Sequence, residues 1–556
     1  MEKKSALLRS FTGRQGRRLK EYLTAYIFIA PASILIFAFG IFPVFFALYV
    51  SLHRWRIIRG EMIGLQNYVT AIGNLAYVIA FFLGIGALVS IYFIIKRIIA
   101  MKQKDNDEPW LTIAPGLVNA AMVFALLNWF YRALPEVLDI AFKVRGFERG
   151  KVVFSEFLRD ALRSDNVLPA WRIFLLTLIV SLAVGILVWR VWRNRKNLNY
   201  QAYFSLLFIV AGVGVGLLFF TFKEVSTVYQ NALIEGVDPG IWPQVISISG
   251  GVLLLGAGWF LWRRAEKQYS NSGFWLHLLG ALILLVGGWL LIGEIPMIIA
   301  NGDKRVWDGL KVTLFFSLGT VPVQLIVSIF LAVLLFQKFL GSNIFRIIYF
   351  IPYVTPAIAS AAVFQQMFSN RHTAPINMFL RWLGLPPQKW LFEPRGIITL
   401  IADHFGKTVP AWAAGPSLAL TVIILHSIWT FVGYNTVIYL AGLGNIPKEL
   451  NDAAEVDGAS GWQVFRHITF PLLSPTTYFL SLIGIIGTFK AFNVIWIFRS
   501  NMALGTTDTF SLVIFIEFFE KLRYGYASAM AFVLFGIILT LTLINNRIQG
   551  SRVFYG

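Results

Sequence analysis

The sequence has no cysteine, few charged residues and only six histidines, and each shortage excludes a class of function. Without cysteine the chain has no disulfide, no thiolate nucleophile and no cysteine-ligated metal, although this does not decide its compartment. The histidines are scattered, with no partners at metal-ligand spacing, at His53, His277, His372, His404, His426 and His467. We therefore expect neither a metal centre nor a catalytic triad.

Charged residues make up 14% of the 556 residues and hydrophobic residues 57%, which fits an integral membrane protein and no soluble class. The net charge of +20 would also suit a nucleic-acid-binding protein. The basic residues, however, form short clusters beside apolar runs, as they do in the cytoplasmic loops of membrane proteins. We expect no nucleic-acid partner.

Long apolar runs recur through the chain. A spanning helix needs about 20 apolar residues, and twelve segments meet that length. They lie at 24–52, 73–100, 111–134, 171–191, 200–222, 245–262, 273–295, 310–336, 346–367, 417–441, 475–497 and 525–546. The first run is too long for the apolar part of a signal peptide, so we predict an uncleaved first spanning helix.

The basic clusters predict the orientation of these spans. Lysines and arginines are frequent in residues 1–20, and further clusters follow at 96–104, 190–196 and 263–267, in every second loop. Because cytoplasmic loops carry an excess of lysine and arginine, these segments are predicted to face the cytoplasm. With twelve spans, both the N-terminus and the C-terminus are then cytoplasmic.

A polar segment, IPKELNDAAEVDGASGWQVFRHITFPLL at 446–473, separates the tenth and eleventh spans. Helix-forming residues from Lys448 to Glu455 precede Asp457-Gly458, which predicts the end of a first short helix. A second amphipathic piece follows at 462–468, and Pro471, which disfavours a helix interior, is predicted to restart the chain toward the next span. This pattern predicts a helix–turn–helix that fills a groove on a soluble partner. An ordinary amphipathic interfacial loop is the alternative.

The same segment resembles the cytoplasmic coupling loop of permease subunits in bacterial ABC importers. The family's pattern is E-A-A, three residues, G, nine residues and I-x-L-P. That spacing is met here, with Asp452 for the family's Glu and Phe470 for its Leu, by Asp452, Ala453, Ala454, Gly458, Ile468 and Pro471. The resemblance implies that these residues, with Asp457, contact an ATP-hydrolysing subunit.

Two blocks of the chain carry the resemblance, which is to MalF-like permeases of carbohydrate importers. The first, at 19–72, includes EYLTAYIFIAPASILIFAFGIFPVFFALYVSLHRW, and the second, from about 307 to 546, includes FRIIYFIPYVTPAIASAAVF and YGYASAMAFVLFGIILTL. It implies an all-α polytopic membrane protein with a type I ABC importer core. We predict a tail, first span and outer loop at 1–72, an inserted six-helix module at 73–295, and a permease core at 296–556 with its coupling loop at 445–473.

The inserted module matches no family known to us. We favour peripheral packing helices as its role, and a docking or regulatory module is the alternative, with a charged outer loop at 135–170. Seven of its glycines suit close helix contact in lipid instead of nucleotide binding: Gly212, Gly214, Gly216, Gly250, Gly251, Gly256 and Gly258.

Polar and aromatic residues in the tenth and eleventh spans are candidates for a substrate pathway. A sugar presents both C–H faces and hydroxyls, which suit aromatic rings beside polar groups. The resemblance to maltose permeases carries the sugar contacts onto Thr430, Phe431, Tyr434, Gly484, Gly487, Thr488 and Ala491. Only Tyr434 keeps a side chain typical of sugar binding, so a different substrate or a looser site fits as well.

Two further ionisable residues in these spans each have two interpretations. Lys490 either pairs with an anionic group of the substrate or extends to the outer interface. His426 is either a satisfied polar residue that faces the helix bundle, which we favour, or part of a proton relay.

The chain has no phosphate-binding loop of its own. Gly406-Lys407-Thr408 lacks the glycine that such a loop needs five residues earlier, where Ile401 stands. The resemblance therefore implies a non-enzymatic permease subunit without a cofactor, in which ATP and Mg are held by partner ATPase subunits. It also implies a second permease subunit, an extracellular solute-binding protein and a prokaryotic cytoplasmic membrane.

The function that this resemblance implies is ATP-driven import of a sugar or related small polar solute by alternating access. A membrane sensor or regulator whose module at 73–295 is the active part is one alternative. A secondary transporter is another, but the core spans contain essentially no acidic residues that could couple ions.

Overall fold

The computed structural model describes residues 14–105, 109–144, 151–191, 198–236, 240–266, 271–337 and 341–549. Several basic residues on which the predicted orientation depends lie outside these ranges: Lys3, Lys4, Arg9, Arg193, Arg195, Lys196 and Lys267. The predicted cytoplasmic placement of both termini stays a prediction.

The described residues are almost entirely helical. The first helices in the chain are α1 (Arg14–Ile36), α2 (Phe42–Ser51), α3 (Gln66–Ile72), α4 (Leu75–Asp105), α5 (Ile113–Lys143), α6 (Lys151–Arg163), α7 (Leu168–Val191), α8 (Leu198–Ile234), α9 (Ile241–Ala265) and α10 (Asn271–Asn301). They are followed by α11 (Lys304–Phe336), α12 (Ser342–Val354), α13 (Ala357–Met367), α14 (Pro375–Trp382), α15 (Ile397–His404), α16 (Leu418–Gly444), α17 (Lys448–Val456), α18 (Gly461–Val464), α19 (Phe470–Leu472), α20 (Ser474–Phe489), α21 (Asn493–Phe498), α22 (Phe510–Phe515) and α23 (Tyr524–Gln549).

Short irregular elements complete the architecture. A hairpin of β1 (His53–Trp55) and β2 (Arg59–Met62), paired antiparallel, adds a feature that the all-α prediction did not include. Three π-helical segments lie at Phe37–Ile41, Phe465–Thr469 and Ile516–Glu520. Single 3-10 turns lie at Pro109–Thr112, Trp390–Phe392, Ala411–Ala413 and Asn501–Ala503.

Within the described residues, 10 helices are long and apolar enough to span a membrane, or up to 12 if each of two bent helix pairs counts as one span. The prediction of about twelve spans is therefore confirmed. One bent pair is α12 with α13, whose axes differ by 94°. The other joins Gly461–Leu472 to α20, with a bend of 62°.

Two predicted spans were wrong in detail. The segment at 346–367 is interrupted because Thr355, in an extended conformation, precedes Pro356, whose ring disfavours a helical residue before it. The segment at 475–497 is also discontinuous, since α20 ends at Phe489 and α21 begins only at Asn493.

The predicted loop at 135–170 is largely helical, because α5 continues to Lys143 and the amphipathic α6 follows.

The residue contacts divide the chain into two compact units. The first contains residues 1–73 and 295–556, and the second contains residues 74–294. In the first unit, α11 and α16 pack along each other, and they bury apolar side chains such as Phe316, Leu420 and Ile423. The Ser328 hydroxyl donates to the Val432 carbonyl across this pair at 2.9 Å. These helices form the buried centre of the first unit.

A fully buried carboxylate, Glu517, collects three cations in the first unit. Its Oε1 accepts from Arg305 Nη1 and from Lys521 Nζ, each at 2.8 Å. Its Oε2 accepts from Arg523 Nη1 at 3.1 Å. Arg305 also pairs with Asp303, the residue that caps α11. The cluster joins the start of α11 to the connection between α22 and α23.

A second buried polar group organises the connection between α13 and α15. The Asn377 side chain is fully buried and donates to the carbonyls of Ser369, Arg371 and Gln388 at 3.0–3.2 Å. Its Oδ1 accepts from Gln388 N at 3.0 Å and from Trp390 Nε1 at 2.8 Å. One amide thus lies within hydrogen-bonding distance of five partners, with its two N–H groups shared among three carbonyls.

The second unit is built from α4 to α9 and most of α10. Helices α4 and α8 approach closely at Gly84 and Gly214, where an added Cβ would lie 2.8 Å and 2.9 Å from a leucine of the facing helix. Of the seven glycines predicted to make such contacts, Gly212, Gly214, Gly251 and Gly258 do so. An added Cβ at Gly216, Gly250 or Gly256 meets nothing within 4 Å, so those three predictions were wrong.

Candidate coupling segment and substrate pathway

The first helix of the predicted coupling segment ends where the sequence predicted. Helix α17 stops at Val456, and Gly458 has a φ of +78°, in the left-handed region that favours glycine. The Gly458 N–H donates to Glu455 O at 3.0 Å, and the Ala459 N–H donates to Ala454 O at 2.9 Å. These two bonds form a Schellman motif, which satisfies the last carbonyls of α17 and fixes the turn.

A capping box starts the second helix. The Ser460 N–H donates to Gln463 Oε1 at 2.7 Å, and the Ser460 side chain caps the same turn. Helical backbone then continues through α18, the π-helical segment and α19 to Leu472, so Pro471 lies inside this helical stretch. The prediction that Pro471 restarts the chain was wrong, because the backbone turns at the buried Leu473. Pro471 is tolerated because the π-helical segment Phe465–Thr469 lies directly before it, and such a local adjustment accommodates the hydrogen bond that proline cannot donate.

Four of the seven predicted coupling residues are exposed. Asp452, Ala453, Asp457 and Gly458 are exposed, whereas Ala454, Ile468 and Pro471 are half-buried. Large apolar side chains beside them are also exposed: Val456 at 89%, Trp462 at 60% and Phe470 at 51%. Exposed apolar groups on a capped helix–turn–helix are typical of a contact surface for another protein.

The predicted substrate residues fall into a first set on α16, Thr430, Phe431 and Tyr434, and a second set from Gly484 to Ala491. Phe431 and Tyr434 contact Tyr353 of α12, a residue that the sequence did not single out. The Tyr434 and Tyr353 rings stack at 4.5 Å, and the Phe431 ring lies edge-on to Tyr353 at 5.9 Å. Thr430 bonds within its own helix, to His426 O at 2.9 Å. Tyr353 precedes the Thr355-Pro356 break, and Pro356 was the available sequence signal for that bend.

Close backbone contact holds this aromatic group in place. A Cβ at Gly433 would overlap the carbonyl group of Tyr349, so only glycine lets α12 approach α16 at this depth. A cavity of about 500 Å³ lies alongside, lined by Arg346, Ile347, Phe350, Ile351, Val354, Thr355 and Val437. Arg346 donates to the Leu335 carbonyl at 3.0 Å.

In the second predicted substrate set, Gly484 and Thr488 contact α11, whereas Gly487 and Lys490 face open space. Thr488 is buried and donates to Ser317 Oγ of α11 at 2.8 Å, and a Cβ at Gly484 would touch Val321 of α11 at 3.1 Å. A Cβ at Gly487 meets nothing within 4 Å, and Lys490 is exposed at the end of α20.

The half-buried Ala491 follows Lys490, and its carbonyl accepts from Thr509 Oγ1 at 3.3 Å. In the first set, Phe431 and Tyr434 contact α12 through Tyr353, whereas Gly484 and Thr488 of the second set contact α11.

His426 lies in the core of the first unit. Its Nε2 lies 3.1 Å from Ser360 Oγ, and the rings of Phe364 and Phe498 contact it at 4.9 Å and 5.0 Å. His426 Nε2 is thus paired, but its buried Nδ1 has no hydrogen-bonding partner among the described residues, so the preferred interpretation of a satisfied polar residue stays a prediction. No group of three or more acidic or histidine side chains within the described residues could hold a metal ion.

Comparison with known proteins adds family information. Residues 324–553 match the family described as "Binding-protein-dependent transport system inner membrane component". The chain is 32% identical over 249 residues to the arabinooligosaccharides transport system permease protein AraP of Bacillus subtilis, covering 44% of this chain and 71% of that one. It is 28% identical over 249 residues to the trehalose/maltose permease MalF of Thermococcus litoralis, covering 45% and 76%. A crystal structure of a bacterial alginate importer aligns with 45% of this chain and 80% of its own, at 22% identity and a TM-score of 0.38.

Proposed function

Because the chain belongs to the family of binding-protein-dependent transport system inner membrane components, and is therefore a multi-pass membrane permease of an ABC importer, we propose that it imports a sugar or oligosaccharide. The resemblance to MalF-like permeases that the sequence indicated is confirmed. The substrate class is supported by relatives named for arabinooligosaccharides and for trehalose and maltose.

The proposed mechanism is alternating access, driven by ATP hydrolysis on partner subunits. The observation that carries it is the coupling segment, in which a Schellman turn and a capping box hold two short helices at a fixed angle. The exposed Val456 and Trp462 beside acidic Asp452 and Asp457 would enter a groove of the ATPase. Movement of the ATPase would then be transmitted through Leu473, the buried residue at the 62° bend into α20.

The same proposal assigns the remaining partners. A second permease subunit would face this chain across the translocation pathway, and an extracellular solute-binding protein would deliver the substrate. The chain itself would bind no cofactor, since ATP and Mg would be held by the ATPase subunits.

For the substrate pathway we place the sugar against the aromatic group of Tyr353, Phe431 and Tyr434. A sugar stacks its C–H faces on such rings, and their fixed positions lower the cost of ordering the site. In this arrangement Thr430, Gly487, Lys490 and Ala491 would line the pathway, with Gly487 leaving room for the substrate. Gly484 and Thr488 would act indirectly, by holding α20 against α11.

Two glycines of the coupling segment provide a matched test. An added Cβ meets nothing within 4 Å at either Gly458 or Gly461, but only Gly458 has a positive φ. Gly458→Ala therefore adds backbone strain of about 1–2 kcal/mol without a clash, whereas Gly461→Ala adds none. Strain of that size disfavours the docked conformation by roughly five- to thirtyfold.

The measurement is recovery of the ATPase on the affinity-tagged permease from native membranes, together with substrate-stimulated ATP hydrolysis. We expect Gly458→Ala and Val456→Asp to lose ATPase while their membrane insertion stays normal. Gly461→Ala should match the unaltered protein. Full ATPase recovery and stimulation in both Gly458→Ala and Val456→Asp would show that this segment is not the coupling surface.

A further inference from the structure

The second unit contains a polar cavity at the depth of its spanning helices. The cavity has a volume of about 330 Å³, and its lining combines three polar side chains with apolar residues: Asn119, Ser181, Leu182, Gly185, Ile186 and Gln201. Its residues come from α5, α7 and α8, all of which are long and apolar enough to span a membrane. A volume of this size is within the range of small-molecule sites.

Most polar groups at the cavity hold one another in place. Ser181 Oγ donates to Asn119 Oδ1 at 2.7 Å, and Asn119 Nδ2 donates to Ser205 Oγ at 3.2 Å. The Ser205 hydroxyl in turn donates to the Gln201 carbonyl at 2.7 Å. This chain of bonds crosses from α7 through α5 to α8 and fixes the shape of the cavity.

The side-chain amide of Gln201 is the exception. Gln201 is 93% buried as a residue and lines the cavity, and no described residue hydrogen-bonds its side-chain amide, whose atoms keep access to the cavity. In a spanning segment, such a polar side chain marks a functional site by default. Its donor and acceptor atoms are therefore available to a ligand.

The surroundings define the chemistry of that ligand. None of the described lining residues carries a charge, so the site favours an uncharged group over a phosphate or a carboxylate. Leu182 and Ile186, at the rim, are 59% and 55% exposed, which opens the cavity toward the surrounding lipid. A ligand can therefore enter from the hydrocarbon layer with its apolar tail still in the membrane.

We propose that this cavity binds the polar end of an uncharged, membrane-dissolved amphiphile through a hydroxyl or carbonyl oxygen. Gln201 hydrogen-bonds that oxygen directly, and Asn119 with Ser181 forms the opposite wall. Two kinds of membrane molecule supply such an oxygen without a charge, namely a lipid alcohol and a quinone. The site gives the second unit a ligand of its own, independent of the transported solute.

Glycine replacements allow the cavity to be filled without a clash. Gly185 lines the cavity, and an added Cβ there meets nothing within 4 Å, so Gly185→Leu places a side chain into the empty space. Gly216, on α8, also has nothing within 4 Å but is not part of the lining, so Gly216→Leu is the matched control. Gln201→Leu removes the free amide and breaks no side-chain hydrogen bond.

The experiment is native mass spectrometry of the full-length protein with three probes: 1,2-dioleoylglycerol, decylubiquinone and dioleoylphosphatidylglycerol. We expect one of the two uncharged probes to bind at one copy per chain, which also identifies the source as alcohol or quinone. Gly185→Leu and Gln201→Leu should weaken that binding by about tenfold, as expected for one lost hydrogen bond or a blocked site. Gly216→Leu should leave it unchanged.

Three results would overturn the proposal. One is binding of neither uncharged probe, which would leave a cavity filled by water only. Another is equal binding of phosphatidylglycerol, which would show that charge is not excluded. The third is undiminished binding in Gln201→Leu, a variant expected to fold because it leaves the other hydrogen bonds of the cavity intact.

Discussion

Replacing the buried carboxylate Glu517 by glutamine should destabilise the first unit more than any other single charge removal in its neighbourhood. Glu517 is fully buried and neutralises Arg305, Lys521 and Arg523 at 2.8–3.1 Å. A glutamine of the same shape keeps one acceptor oxygen but leaves three cations around a neutral group. The three cations then repel one another and lose their attraction to the carboxylate, although they are already partly buried.

The size of the effect follows from the exposure of the partners. Breaking a buried ion pair by removing one member costs roughly 3–5 kcal/mol. Here the three cations keep 32–49% of their side-chain surface in solvent, so they regain part of their hydration and the lower end applies. We expect a loss of about 3 kcal/mol, which corresponds to a fall of roughly 4 °C in melting temperature for a unit of more than 300 residues.

The assay is thermal unfolding of detergent-solubilised protein, followed by the size-exclusion peak of a fluorescent fusion. Glu520→Gln is the matched control, because Glu520 lies three residues away, is 47% exposed and approaches only Arg499, at 3.7 Å, among its described ion-pair partners. An exposed pair of that kind contributes about 0–1 kcal/mol. Equal melting temperatures for Glu517→Gln and Glu520→Gln would refute the argument that burial makes this carboxylate structurally important.

Three further predictions concern the outer segment, the orientation and the inserted module. Asn377→Leu removes five hydrogen bonds and should make the connection between α13 and α15 cleavable by external protease in intact spheroplasts, whereas the unaltered chain resists. In this cysteine-free chain, Ser460→Cys should resist an impermeant maleimide in whole cells and Ser369→Cys should react; the reverse pattern contradicts the predicted orientation. A chain lacking 73–295 should still insert and retain the ATPase, and loss of substrate-stimulated hydrolysis alone would assign the module a functional role.

Hydropathy and turn chemistry predicted the features that depend on neighbouring residues. The end of α17 at Asp457-Gly458 could be read from local sequence, because a glycine after a run of helix formers supplies the left-handed conformation. The bend between α12 and α13 could also have been found, since Thr355 precedes a proline. Pro471 misled because a proline predicts a helix end, whereas the π-helical segment before it accommodates the missing N–H, and only the structure shows that segment.

Features that depend on distant residues could not be predicted in this way. Tyr353 and Tyr434 stack although 81 positions separate them, and Glu517 meets Arg305 across more than 200 positions. No proline or C-terminal glycine marks the end of α20 before Lys490, and the residues on the two sides of the break, Phe489 and Ile495, are buried. A single sequence contains the residues of these contacts but not their pairing.

The length of α8 has a practical consequence for imaging. Its 37 residues extend about 55 Å, whereas a bilayer with its headgroups is about 40–45 Å thick. A tilt of roughly 40° would be needed to hide the whole helix, which is the upper limit for spanning helices. At a common tilt of about 20°, the helix still extends about 52 Å along the membrane normal, so roughly 10 Å of it, or about seven residues, lies outside the headgroups. In electron micrographs such a helix end would extend past the detergent belt and provide a landmark for particle alignment.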